Sequence, residues 1–299
     1  MSKAARSPRP APRFGVVYRP DFPPETLPAI ARAVDDASIA ELWLWEDCFL
    51  QGAVAQAAVA LASSDRLSVG IGLVPAPLRS VVATAMEIAT LARIYPGRVK
   101  LGIGNGVQDW MSQAGVRVQS PLTLLREYVS ALRALLDGEN VTRSGRYVEL
   151  ASVRLSWVPP QPVPILVGGS GPKTLRLAPQ VGQGVIIDCQ NTVASVQATL
   201  TDISGCESLT ETTSFARVMY LPCAPRDGAR ERLRAEATRW NVDAAAFGVG
   251  GTTGEIREGI ARYVDVGIDT VVLQPIGDVR DFEALVAAAV AVARSWPSD

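Results

Sequence analysis

The sequence contains no histidine in 299 residues. This absence excludes Ser-His-Asp triads, Cys-His dyads, His-ligated zinc sites and HExxH proteases, because each of them needs an imidazole as a base or a ligand. Chemistry in this chain must therefore use carboxylates, thiols, hydroxyls, backbone groups or a coenzyme. The missing histidine thus favours a protein that works with a bound coenzyme.

Cysteine is scarce, and its spacing does not indicate pairing. The four cysteines, Cys48, Cys189, Cys206 and Cys223, form no CxxC motif and show no disulfide-like spacing. Free thiols are typical of a reducing compartment, so we expect a cytoplasmic protein.

An excess of positive charge and long apolar runs are also missing. The formal net charge is -1, so we expect no nucleic-acid partner and a small-molecule substrate instead. We expect no membrane span either, because the apolar runs are short; Ala284–Val292 is predicted to be buried helix. The basic segment Met1–Arg13 lacks the apolar centre of a secretory signal. It is predicted to be a disordered leader before one domain over 14–299.

What the chain does contain is a regular alternation of β-rich runs and helical patterns. Several runs are continuously apolar, as expected for parallel strands covered on both faces. Eight strands with intervening helices predict an α/β protein with a (β/α)8 TIM barrel; a doubly wound open sheet is the alternative. The predicted strands are Phe14–Tyr18, Glu41–Glu46, Leu67–Val74, Arg98–Gly104, Ile165–Gly168, Gly184–Asp188, Phe215–Leu221 and Thr270–Gln274, with a further short strand or hairpin at Tyr147–Ser156.

The most informative local pattern is the glycine-rich turn Leu166–Thr174. Paired glycines let the backbone approach a ligand closely, and the following helix begins with unsatisfied N–H groups that favour an anion. Lys173 and Thr174 add a charge and a hydroxyl there. The turn matches neither GxxxxGK[ST] nor GxGxxG, so it predicts a phosphate site of another kind. The alternative is a plain turn in which Ser170 caps the helix.

Polar residues gather where the predicted strands end, which is where a barrel carries its chemistry. A second glycine-rich segment, Gly102–Gly106, is predicted to be a strand-to-loop turn rather than a dinucleotide fingerprint. Trp43 and Trp45 lie on one face of their strand, either for packing or against a coenzyme ring. The strand-end residues are Arg19, Asp21, Glu46, Asp47, Cys48, Gly72–Pro75, Asn105, Gln108, Asp109, Asp188, Cys189, Gln190 and Gln274.

Three segments in order carry a resemblance to a known family. Gly70–Pro75 with Ala85–Leu91, Gly97–Gly104 and Gly168–Ala178 resemble the third strand and helix, the fourth strand and the phosphate turn of the bacterial-luciferase-like superfamily. The likeness is to its branch that depends on a deazaflavin, coenzyme F-420. It extends in element order from Phe14 to the C-terminus.

This resemblance implies a coenzyme at the barrel mouth and assigns residues to it. The phosphate would lie on Gly168, Gly169, Lys173 and Thr174, and the ring would lie across Gly72, Leu73, Val74 and Asn105. Related proteins have a non-proline cis peptide in the third strand, and the matching bond here is Gly72–Leu73. Homodimers are common in the family, so a homodimer is expected.

The sequence also departs from the family at two positions. Asp47-Cys48 stands where Asp-His is usual, and a thiol with a pKa of about 8.5 is a poor base at neutral pH. Alcohol oxidation, which needs a base, is therefore disfavoured relative to reduction of an imine, enone or pterin-like methylene group. Gln183 stands where Asp is usual, which puts one supporting contact in question.

Three functional hypotheses follow. The leading one is an F-420-dependent oxidoreductase in which Asp47, Cys48 and Asn105 line the reactive face. The second is an FMN-dependent two-component monooxygenase of the same barrel family. The third is a barrel that binds a coenzyme or metabolite without turnover, which the missing histidine keeps open. The loop Asn105–Ser120, with Trp110, suggests an apolar wall for the substrate, whose identity the sequence does not specify.

Overall fold

The computed structural model describes residues 11–205, 215–225, 227–239, 241–243 and 247–297. Most of the predicted leader, together with Cys206 and Trp240, lies outside these residues. The described part forms a closed parallel barrel with helices around it. The alternative of a doubly wound open sheet is wrong, because the strand Gly184–Ile187 pairs with the strand Ala216–Ala224, which also pairs with Thr270–Pro275, and the sheet thereby closes into a ring.

The barrel contains eight strands in the order β9-β11-β1-β2-β3-β4-β7-β8, and β8 pairs with β9 to close it. All of these pairs are parallel, as the continuous apolar runs predicted. The strands are β1 (Arg13–Val17), β2 (Glu41–Leu44), β3 (Ser68–Pro75), β4 (Val99–Gly104), β5 (Val141–Ser144), β6 (Glu149–Val153), β7 (Ile165–Gly168), β8 (Gly184–Ile187), β9 (Ala216–Ala224), β10 (Val249–Gly250) and β11 (Thr270–Pro275).

Three strands lie outside the ring. β5 and β6 form an antiparallel hairpin, which the sequence predicted over Tyr147–Ser156 without its first strand. β10 extends the sheet by pairing with β9, and the sequence did not predict it. With two residues, β10 is too short for a periodic pattern to reveal it.

Helices follow the strands around the outside of the barrel. The predicted helices are present, and α4 is an addition that the sequence did not predict because six residues give too little periodicity. The helices are α1 (Leu27–Asp36), α2 (Ala53–Ala62), α3 (Val81–Ile94), α4 (Gln108–Gln113), α5 (Pro121–Leu136), α6 (Pro172–Val181), α7 (Val193–Ser204), α8 (Ala229–Arg239), α9 (Thr253–Val266) and α10 (Phe282–Ser295). Among the described residues, none of the helices is long and apolar enough to span a bilayer.

The barrel interior is filled around Trp43. Its ring occupies the space left by Gly70 and Gly72 on β3, where any side chain would overlap it. The indole Nε1 donates to Glu41 Oε2 at 2.8 Å, and Glu41 also forms an ion pair with Lys100. Of the two roles left open for Trp43, the structure therefore shows packing, with its one polar atom satisfied inside the barrel.

Candidate active site at the barrel mouth

Four neighbouring strands bring the predicted site residues to one edge of the barrel. β2, β3, β4 and β7 lie side by side, so their carboxyl ends place Asp47, Gly72, Asn105 and Gly168 along one arc of the mouth. Residues about 120 positions apart in the chain thereby become neighbours. We call this arc the coenzyme side, after the coenzyme that the sequence analysis expects there.

The end of β3 is the centre of the coenzyme side. The Gly72–Leu73 peptide bond is cis, as predicted, and the bond Cys48–Phe49 is also cis, which the sequence did not predict. The pairing of β3 with β4 shifts in register between Ile71 and Val74. The Leu73 carbonyl accepts a hydrogen bond from the backbone N–H of Glu46 at 3.2 Å, which joins the ends of β2 and β3.

The Leu73 side chain connects the predicted ring site to the predicted phosphate turn. A Cβ atom at Gly104 would lie 2.6 Å from Leu73 Cδ2, and one at Gly168 would lie 2.8 Å from it. At Gly104 a side chain would also lie 2.9 Å from the Gly168 carbonyl oxygen, so that position needs glycine, whereas at Gly168 the Leu73 side chain would have to move. The glycines at these strand ends thus let β3, β4 and β7 approach closely at the mouth.

Asn105 and Thr174, which are 69 residues apart, meet directly. Asn105 Nδ2 donates to the Thr174 hydroxyl at 3.1 Å. Asn105 Oδ1 is buried and has no hydrogen-bond partner among the described residues. Buried polar atoms are nearly always paired, so this oxygen indicates an acceptor position kept for a ligand.

The helix α6 begins at the glycine-rich turn without a side-chain cap. Its N-cap is Gly171 rather than Ser170, so the alternative in which Ser170 caps the helix is wrong. Thr174 is buried beside the turn, whereas Lys173 is exposed. Pro172 has no N–H and the Thr174 N–H donates to the Gly171 carbonyl, so the start of α6 favours an anion through the positive end of the helix dipole and the Lys173 ammonium group.

Asp47 lies at the end of β2 in a partly buried position. The Trp45 indole Nε1 donates to Asp47 Oδ2 at 2.8 Å. Burial raises the pKa of the Asp47 carboxyl above its ordinary value, and the hydrogen bond from Trp45 offsets part of that rise. The protonated, neutral form of Asp47 is thereby favoured relative to an exposed aspartate.

Cys48 occupies the position at which the family usually has histidine. Burial raises the pKa of its thiol, and the neighbouring Glu46 and Asp47 carboxylates raise it further. The thiol is therefore favoured over the thiolate at neutral pH, in agreement with the expectation that Cys48 is a poor base. Glu46 itself is engaged elsewhere, since its Oε2 accepts from the Ala53 N–H at 3.0 Å and from Arg79 at 3.2 Å.

The opposite arc of the mouth, which we call the charged side, is formed by the ends of β1, β8 and β11 with α8. Arg19 is buried there and forms a two-pronged pair with Asp21, with distances of 2.9 and 2.6 Å. It also lies 3.6 Å from Glu236 and 3.4 Å from the Pro275 carbonyl. Burial raises the pKa of Cys189 on this side to about 12, so this thiol is also protonated.

Two departures from sequence reasoning stand out. Gln183, whose substitution for Asp put a contact in question, accepts a hydrogen bond from the Ile165 N–H at 2.9 Å, so that contact is present. Tyr220 in the middle of β9 was missed, although its hydroxyl donates to the Gly72 carbonyl at 2.8 Å. The only signal in the sequence is the phenol hydroxyl of Tyr220 within the otherwise apolar run of β9.

Comparison with known proteins agrees with the fold and the order of these segments. The family model of the luciferase-like monooxygenases matches residues 8–247. The 5,10-methylenetetrahydromethanopterin reductase of Methanolobus tindarius is 28% identical over 178 residues, which are 60% of this chain and 54% of that protein. The F420-dependent glucose-6-phosphate dehydrogenase of Beutenbergia cavernae is 37% identical over 135 residues, 42% of this chain and 39% of that protein.

The sequence alignments cover only part of this chain, whereas the structural superposition covers nearly all of it. The chain spans about half the length, or less, of the curated relatives that it matches. An F420-dependent secondary alcohol dehydrogenase, solved with an F420-acetone adduct, superposes with a TM-score of 0.82 at 18% identity, covering 94% of this chain and 99% of that one. At 18% identity the superposition shows only the shared fold, whereas the family model that matches residues 8–247 shows the family. The chain belongs to the luciferase-like monooxygenase family.

Proposed function

We propose that this protein is an F-420-dependent oxidoreductase that reduces a small organic substrate. The observation that carries the proposal is the convergence of Leu73, Asn105, Gly168 and Thr174 on one arc of the barrel mouth. The names of the relatives support the choice of coenzyme, because both the glucose-6-phosphate dehydrogenase and the alcohol dehydrogenase are described as F420-dependent.

The coenzyme side fits a phosphate-bearing, ring-containing group. The phosphate would be held by the backbone of Gly168 and Gly169, the Thr174 hydroxyl and the Lys173 ammonium group at the start of α6. The ring would lie against Gly72, Leu73 and Val74. The orphaned Asn105 Oδ1 would accept a hydrogen bond from it, which would satisfy this buried oxygen. A reduced deazaflavin bound there supplies a hydride.

The chain itself supplies a proton rather than a base. Asp47 has a raised pKa and a fixed orientation on Trp45, so we assign it the role of proton donor to the reduced substrate. Cys48 keeps its proton and lines the reactive face as a small neutral group. This arrangement supports reduction of an imine, an enone or a pterin-like methylene group over alcohol oxidation.

The proposal includes a homodimer in the cytoplasm. Met86 and Ile94 lie about two turns apart on one side of α3 and are 58% and 62% exposed, and Val59 on the adjacent α2 is also exposed. Large apolar side chains on neighbouring helices favour contact with a second copy. Size-exclusion chromatography with light scattering tests this part; a monomer at micromolar concentration would contradict it.

A binding titration followed by a turnover assay tests the coenzyme. The purified protein is titrated with F-420 and, separately, with FMN, and the reduced coenzyme that binds is then mixed with imine and enone acceptors. We expect selective binding of F-420 and loss of its reduced form when an acceptor is added. Selective FMN binding would instead support the monooxygenase, and F-420 binding without any hydride transfer would support the non-catalytic barrel.

A further inference from the structure

Tyr220 is a buried residue to which the coenzyme and acid roles above assign no part. It lies in the middle of β9, on the far side of the barrel interior from β3. Its ring packs into an apolar cluster in the barrel interior, and the Glu41 carboxylate lies near enough to help raise the pKa of its phenol. The cluster consists of Val17, Trp43, Leu166, Ile186, Val218, Tyr220 and Val272, with Trp45, Cys189 and Ala216 packed against it.

The phenol oxygen has one specific contact, and that contact is with the coenzyme side. The Tyr220 hydroxyl donates to the Gly72 carbonyl oxygen at 2.8 Å. A side chain at Gly72 would overlap the Tyr220 hydroxyl, so the glycine and the tyrosine fit each other. Burial holds the pKa of Tyr220 well above its ordinary value, which keeps the hydroxyl a donor at every physiological pH.

The ring of Tyr220 has a second contact that leads to Asp47. It lies 5.9 Å from the Trp45 ring, centre to centre, with the planes tilted by 36°. Trp45 in turn donates its indole N–H to Asp47 Oδ2. The Trp43 ring also packs against the Tyr220 ring, with the ring centres 5.9 Å apart and the planes at 78°. One side chain of β9 therefore supports both the end of β3 and the end of β2.

We propose that Tyr220 is a positioning residue for the site: its hydroxyl fixes the Gly72 carbonyl under the coenzyme, and its ring fixes Trp45, which orients Asp47. The inference rests on the proposed function, because Gly72 and Asp47 matter to a reaction only if the coenzyme lies on them. It goes beyond that function because Tyr220 lies on β9, whereas Gly72 and Asp47, which it positions, lie on or after other strands. The physical reason is that the pairing of β3 with β4 shifts in register between Ile71 and Val74, and within this stretch the Gly72 carbonyl accepts its hydrogen bond from Tyr220.

The primary test is Tyr220→Phe, which keeps the ring and removes the hydroxyl. We expect the Kd for reduced F-420 to rise by about tenfold, which is the change in affinity that corresponds to the loss of one hydrogen bond. The ring remains, so the pH profile of turnover should stay in place. The measurements are the coenzyme Kd, the Tm, and kcat with KM for the acceptor across pH.

The chain offers a matched control in Tyr128→Phe. Tyr128 on α5 is also buried, and its hydroxyl lies 2.6 Å from the Thr84 hydroxyl on α3, among the outer helices. Removing that oxygen costs the fold a buried hydrogen bond of the same kind, so the Tm should fall to a similar extent. The coenzyme Kd should not change. A merely structural Tyr220 would make the two variants indistinguishable, and that result would overturn the inference.

Trp45→Phe tests the hydrogen bond from Trp45 to Asp47, on which the second half of the inference depends, and does so even if Tyr220→Phe does not fold. It keeps an aromatic ring beside Tyr220 and deletes the N–H that stabilises ionised Asp47. The alkaline limb of the turnover profile should therefore move to higher pH with little change in coenzyme Kd. An unmoved limb would overturn the link from Tyr220 to Asp47. Wild-type protein that binds no F-420 would instead contradict the proposed function itself, so the two failures are distinguishable.

Discussion

The two arcs of the barrel mouth hold their carboxyl groups in opposite ways. On the charged side, the exposed Asp21 forms a two-pronged ion pair with the buried guanidinium of Arg19. On the coenzyme side, Asp47 is held by the neutral indole N–H of Trp45 in a partly buried position that raises its pKa. Burial therefore separates the two groups: Asp21 is exposed and paired with a cation, whereas burial raises the pKa of Asp47 and favours a carboxyl that can donate a proton.

The arcs also differ in what they leave open. The guanidinium of Arg19 lies within ion-pair distance of both Asp21 and Glu236, so its own ion pairs occupy that side. The coenzyme side has an uncapped helix start at Gly171 and the unpartnered Asn105 Oδ1. Ligand binding is thus expected where the protein's own polar groups are incompletely satisfied.

The largest expected effect is on turnover and distinguishes the two carboxyl groups. Asp47→Asn keeps the shape and the contact with Trp45 but has no proton to donate, so kcat for reduction should fall by about a hundredfold or more. The coenzyme Kd should stay nearly constant. Asp21→Asn is the matched control, which should lower the Tm and leave kcat within a few-fold. Equal losses of kcat in both variants would refute the contrast between the arcs.

The same variant gives a prediction for the pH dependence of stability. Because burial raises the folded-state pKa of Asp47 above its unfolded value, its contribution to stability is fully present below the unfolded pKa and is lost as the pH rises through the folded pKa. Asparagine does not titrate, so Asp47→Asn should gain in Tm relative to wild type as the pH is raised from about 4 to 7. A Tm difference that does not vary with pH would show that Asp47 has an ordinary pKa.

The next effect concerns the anion site of the coenzyme side. Replacing both Lys173 and Thr174 with Ala removes an ammonium group and a hydroxyl, and should raise the F-420 Kd by about 30- to 100-fold. Thr142→Ala with Arg143→Ala on the exposed hairpin strand β5 is the control, because it removes the same kinds of group away from the mouth. Isothermal titration gives both affinities. An unchanged Kd in the Lys173 and Thr174 variant would mean that the phosphate lies elsewhere.

A smaller functional effect is expected on the charged side. Arg19→Met removes the buried guanidinium that pairs with the exposed Asp21 and lies 3.6 Å from the buried Glu236, which should lower the free energy of unfolding in urea by about 1–2 kcal/mol. The F-420 Kd should change by less than about threefold, because the guanidinium belongs to the other arc. A large loss of F-420 affinity in a variant that is still fully folded would show that Arg19 contacts the coenzyme.

The smallest effect is predicted for the residue that replaces the family's histidine. Cys48→Ser exchanges one small neutral group for another, and kcat for reduction should change by less than about threefold. Stopped-flow decay of the reduced coenzyme is the measurement. A hundredfold loss would assign the thiol a direct part in the reaction and would reverse the argument from its raised pKa.

Much of the fold follows from local pattern. The apolar runs of β1 and β11 and the helical patterns between the strands predict eight βα units, because a strand covered on both faces must be continuously apolar. The turn from Gly168 to Thr174 is likewise predictable, since glycines before a helix start create an anion site within a few residues. The short α4 is not, because six residues carry too little pattern.

The sequence by itself thus determined the barrel and the exclusion of histidine chemistry, and it indicated the arc on which we propose the site. Only the tertiary structure decided the contacts that make the arc work: Asn105 with Thr174 across 69 residues, and Tyr220 with Gly72 across 148. It also set the raised pKa of Asp47, which comes from burial. These depend on ring closure and burial, and neither is visible in a local pattern because each is a property of residues distant in the chain that meet when the sheet closes.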